Sequence, residues 1–96
     1  MKIEYLQAGI LITDLPVAAA LLSQRKRNVE FDGLEVADDS RNQFYFKISG
    51  DVAMLKNDIS RYFSGTLSLP DAKAFSEQLR NLRSLVVSRK NYGHAG

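Results

Sequence analysis

Residues 12–22 read ITDLPVAAALL, and the fold turns on how that stretch is taken. Thr13 and Asp14 both carry a short side-chain oxygen able to accept a bond from the free N–H groups of a helix start. Pro16 suits a first helical turn, where its missing N–H costs nothing. Leu15, Ala18 and Leu22, joined by Val17 and Leu21, then make a wide apolar stripe at helical spacing. Alanine at 18, 19 and 20 favours helix and lets the backbone sit close to a sheet. The stretch predicts a short helix packed on strands.

Upstream, Lys2 to Ile12 holds Ile3, Tyr5, Ile10 and Ile12 and reads as one strand, weakened at Gly9. Downstream, Val29 and Phe31 fall on odd positions, whereas Leu34 and Val36 fall on even ones. The phase slips across Asp32-Gly33, which fits either a bulge in one bent strand or a tight Asp-Gly hairpin. The bulge is preferred, because residues 38–42 (DDSRN) make a better turn and leave longer strands to pair. After that turn Phe44, Phe46 and Ile48 alternate with Tyr45 and Lys47, as in a half-buried strand.

Asp51 opens a second helix, with Val52, Leu55, Ile59 and Tyr62 or Phe63 on one side and Gly65 at its end. A Thr66–Leu69 link leads to a longer helix over about 70–88, its inward stripe Ala72, Phe75, Leu79, Leu82 and Val86. From Asn91 the chain reads NYGHAG, a fraying tail. The expected architecture is α+β in the order β-α-β-β-α-α: a three-stranded sheet, mixed or antiparallel, with helices packed on one face. It forms a single domain over 1–90 with a flexible tail at 91–96.

Several segments together resemble a family of small uncharacterised bacterial and phage proteins. They are residues 12–22, then Phe44-Tyr45-Phe46, Tyr62-Phe63-Ser64-Gly65, and Phe75 with Leu79-Arg80-Asn81-Leu82-Arg83. The likeness covers roughly 12–87 and rests on core and cap residues. It implies the same element order and no mechanism, the family having no assigned activity, and it lends itself to a setting as accessory to a mobile element.

Ninety-six residues with no cysteine leave neither disulfides nor thiolate metal sites to staple the fold, so core packing must hold it. The longest apolar stretches, Ala8–Ile12 and Leu15–Leu22, fall short of the roughly 20 residues that cross a bilayer. Glu4 argues against a signal peptide, and a cytoplasmic protein with no membrane partner is expected. The only histidine, His94, lies in the glycine-flanked tail, where nothing would hold it for catalysis. No phosphate-cradling glycine loop is present. No enzyme, cofactor or small-molecule substrate is indicated. Asp38-Asp39 offers carboxylates to a hard cation, but two aspartates at a turn serve as caps. Tyr45 and Lys47, on the strand that follows Arg41-Asn42-Gln43, read as a surface pair rather than as a base-stacking platform.

Charge falls in blocks. Arg25, Lys26 and Arg27 are consecutive, and five carboxylates follow within 28–40 with no cation among them. Three successive helical residues point in different directions, so 25–27 read as the solvated end of the first helix, favoured there by its dipole. Arg80 and Arg83 are spaced i,i+3 and share one side of the last helix, which Val87 and Lys90 continue. Glu77 is placed to pair with Arg80. With Arg89, these residues (Arg80, Arg83, Arg89 and Lys90) are the candidate contacts. A protein partner or a second copy is the expected target, and nucleic acid the alternative.

Overall fold

The computed structural model describes residues 1–26, 28–38, 40–41 and 43–94, the side chains of 91–94 excepted. Its elements are β1 (Ile3–Tyr5), β2 (Gly9–Ile12), α1 (Leu15–Ser23), β3 (Glu30–Asp38), β4 (Gln43–Ser49), α2 (Val52–Ser64) and α3 (Ala72–His94). The fold is α+β, but the sheet has four strands, ordered β1-β2-β4-β3, and every pair is antiparallel.

The extra strand arises because Lys2–Ile12 folds back on itself. Ile3 lies opposite Ile12 and Tyr5 opposite Ile10, so all four side chains share the inner face. The Leu6 N–H donates to the Gly9 carbonyl at 2.9 Å and closes the turn. Gly9 is the condition for the next pairing rather than a weakness. A Cβ there would collide with the Ile48 carbonyl oxygen of β4, so only glycine lets β2 close on that strand.

The phase slip in β3 is a bulge: Phe31 pairs with Ile48 and Leu34 with Phe46, and the register shifts between them. Gly33 supplies the positive φ of 106° that the shift demands. The bulge returns Leu34 and Val36 to the inner face beside Phe46 and Phe44. Glu35 and Tyr45 occupy the outer face.

Asp14, not Thr13, caps α1, its carboxylate accepting from the Val17 N–H at 3.0 Å. Thr13 ties the hairpin instead, its Oγ1 accepting from the Lys2 N–H at 2.9 Å. Val17 to Leu21 are all 0–1% exposed, so α1 is apolar all round rather than along one stripe. It packs against β4, α2 and α3. Ile10, Ile12, Phe46 and Ile48 of the sheet, Leu55 and Ile59 of α2 and Leu82 of α3 complete the core.

Asp51 caps α2 through the Met54 N–H at 2.9 Å, and Gly65 ends it. In α3 the inward residues include Ala74, Phe75, Leu79, Leu82 and Val86, whereas Ala72 is exposed at the first position. The α3 backbone stays helical to His94, past the Asn91 where a tail was expected to begin, and Ala95 and Gly96 lie outside the described residues. Gly9→Ala is expected to lower unfolding stability by roughly 1–3 kcal/mol, the range for forcing atoms into a packed site, as read by urea denaturation.

Candidate interaction surface

Arg25 and Lys26 have different fates. α1 ends at Ser23, and Arg25 and Asn28 adopt positive φ values of 54° and 66°, a conformation that cannot continue a helix. Arg25 and Lys26 therefore lie in the connection after α1 and not in its last turn, a correction to the sequence reading. Gln24 pins that connection, its Nε2 donating to the Ser68 carbonyl at 2.8 Å. The Arg25 guanidinium reaches the Asp71 carboxylate at 3.6 Å, with both side chains well exposed. Lys26 turns inward: its Nζ donates to both oxygens of Asp58, at 3.0 and 2.9 Å. Asp58 is only 2% exposed, on the buried side of α2. Arg27 lies outside the described residues.

Sequence reasoning missed this pair, although a signal was present. Asp58 stands among Leu55, Ile59 and Tyr62 on the apolar side of α2, where a carboxylate needs a partner. Its partner is 32 residues away, which no local pattern reveals.

At the β3–β4 turn, Asp38 Oδ1 accepts from the Ser40 hydroxyl at 2.7 Å and from the Ser40 N–H at 3.1 Å. Arg41 Nε approaches its other oxygen at 3.6 Å. The Ser40 hydroxyl bond, ahead of the backbone N–H bonds, holds the Asp38 carboxyl below its ordinary value. Asp38 thus closes its own turn, while Asp39 and Asn42 lie outside the described residues. Lys47 approaches Glu35 across the outer face at 3.7 Å, and Tyr45 lies opposite that Glu35. On the inner face Lys56 lies 4.8 Å from the Tyr5 ring centroid.

The four candidate residues of α3 do not form one cluster. Arg80 and Arg83 are exposed, and among the described residues neither forms an ion pair, so the expected Glu77–Arg80 pair is not made. Val87, 51% exposed, lies on the same side. A shallow depression follows this side from Ser76 to Ser88, and its described lining comes entirely from α3. One helix cannot enclose a ligand, so this is a face and not a pocket. Arg89 instead continues the inward stripe of Leu82 and Val86, and its guanidinium carbon sits 6.0 Å from the Phe44 ring centroid. There α3 faces β3 across a groove of about 280 Å³, lined by Phe31, Gly33, Leu34, Leu85, Ser88 and Arg89.

Among the described residues no three His, Cys, Asp or Glu side chains are grouped to hold a metal ion, and no helix is long and apolar enough to cross a membrane. The side chain of His94 lies outside the described residues. No protein-family profile, curated protein or solved structure matches the chain.

Two expectations follow. Lys26→Ala leaves the Asp58 carboxylate buried without its partner and should cost roughly 3 kcal/mol, the lower end for a broken buried pair because Lys26 keeps some contact with water. The double variant Lys26→Met/Asp58→Leu should recover most of that loss in the same urea titration. Ser40→Ala should raise the Asp38 carboxyl toward the ordinary value, read from its NMR titration. Because the folded-state value is lowered, Asp38 stabilises the fold at neutral pH, and that contribution fades as pH falls through the folded-state value.

Proposed function

We propose that the chain is a small non-enzymatic interaction module acting through the outer face of α3 on a protein surface. What carries this reading is the placement of Arg80 and Arg83 beside Val87 on one helix face, set against four cations that bind carboxylates of their own chain. Arg25, Lys26, Arg41 and Lys47 are all paired with carboxylates of the same chain. Arg80 and Arg83 are held out on a rigid helix beside exposed Val87 without such partners among the described residues. Cations flanking an isolated apolar side chain suit the rim of a protein interface. The resemblance to small bacterial and phage proteins adds a setting, accessory to a mobile element, and no mechanism.

Nucleic-acid binding through the same helix is the second reading, favoured by two arginines that form no ion pair among the described residues. It is weakened by the placement of two further cations. Lys26 is spent on a buried carboxylate, and Arg89 lies beside β3, whose four ionisable residues are all acidic. A polyanion following α3 would meet that strand.

Immobilised wild-type protein should retain a defined protein, a second copy included, from native extract, and Arg80→Glu/Arg83→Glu should lose it. Retention unaffected by the double variant would remove α3 from the account. A mobility shift on DNA or RNA that weakens steeply with salt would move the nucleic-acid reading ahead.

A further inference from the structure

We infer that the partner of the α3 face is the β3 edge of a second copy of this chain, an inference that rests on the interaction reading above. Between residues 72 and 94, α3 carries five cations against the single carboxylate of Glu77. β3 carries Glu30, Asp32, Glu35 and Asp38 and no cation. The first three are exposed, and among the described residues only Glu35 and Asp38 find a cation within the molecule. Arg80 and Arg83 on α3, and Glu30 and Asp32 on β3, therefore each have on a neighbouring molecule a complement that they do not meet at home among the described residues.

The form of the β3 edge selects what can dock there. β3 is the last strand of the sheet, so one side of its backbone has no strand beside it. Its register is broken between Phe31 and Leu34 and again between Val36 and Asp38, and three of its four exposed side chains are acidic. Bulges and charge of one sign are what natural sheets use to refuse another strand. A helix presenting cations needs no backbone ladder and meets those carboxylates through side chains alone. Apolar contact is available on both sides, with Val36 49% exposed on β3 and Val87 51% exposed on α3. The contact joins two different patches, so it builds closed rings or open chains according to the rotation between copies.

The test uses purified protein alone, by sedimentation velocity at low ionic strength. Wild type should sediment above monomer mass and fall to monomer at about 1 M salt, where screening shortens to about 3 Å. Arg80→Glu/Arg83→Glu and, separately, Glu30→Lys/Asp32→Lys should each weaken association at least about tenfold. All four positions are exposed, and circular dichroism checks that both variants stay folded. Mixing the two variants should restore association, because each then offers the charge that the other requires. A monomeric wild type, association indifferent to either reversal, or variants that stay apart when mixed would each overturn the inference. If a monomeric wild type still captured a protein that Arg80→Glu/Arg83→Glu lost, the interaction reading would stand and only the identity of the partner would fall.

Discussion

A helix with no polar side has to be covered everywhere, and α1 is such a helix. Val17 to Leu21 are essentially without solvent contact, so the strands beneath cannot by themselves shelter it. α2 covers one flank and α3 lies across the side away from the sheet, packing mainly against α1. Three consecutive alanines keep α1 thin, so residues as far apart as Ile10 and Leu82 belong to one core. The long third helix, which the sheet does not itself require, follows from this need for cover.

The same constraint explains where cover is incomplete. α1 is 9 residues long and α3 is 23, so α3 runs on beyond what it covers. Toward its C-terminal half it faces β3 and β4 with no helix between. Phe44 there is only half-buried, with Arg89 over its ring, and Leu85 and Val36 stay open to solvent. Ion pairs fasten the stretch that leads out of α1. Lys26 ties it to α2 through Asp58, and Arg25 ties it to the start of α3 through Asp71. A buried pair of this kind adds little net stability over apolar packing. Its consequence here is positional, since Asp58 accepts that lysine only where the chain turns after α1.

Local chemistry made much of this legible from residues alone. The Asp14 and Asp51 caps, the glycine closing α2, the Gly33 bulge and the alternation of Phe44, Phe46 and Ile48 are all local patterns, and each is present. The first hairpin was not legible because its turn, Leu6-Gln7-Ala8, lacks the residues that announce turns. Its trace was a change of phase, Ile3 and Tyr5 on odd positions and Ile10 and Ile12 on even ones. The same sign in β3 means a bulge, so phase alone does not separate the two. The end of α1 was hidden for another reason. Arg25 takes a positive φ although it is not glycine, and tertiary bonds hold it there. Of the surface, the Arg80–Arg83 spacing was readable, but the turn of Arg89 toward Phe44 depends on where α1 stops beneath α3.

Charge placement completes the account. Arg25 and Lys26, just after α1, are drawn into bonds by Asp71, partly exposed before α3, and by Asp58, buried on α2. On the outer side of α3, Arg80 and Arg83 meet no carboxylate of their own chain among the described residues. β3 is acidic for a separate reason: an edge strand must resist pairing, and repeated carboxylates on a bulged strand achieve that. Two independent demands, covering α1 and guarding an edge, thus leave one molecule with a basic outer side of α3 and an acidic edge, whose Arg80 and Arg83, and Glu30 and Asp32, form no ion pair within it among the described residues. Electrostatic complementarity sets partner choice and encounter rate more than affinity. In the contact proposed between copies, such surfaces would favour reversible association over permanent assembly, with exposed Val36 and Val87 as its apolar component.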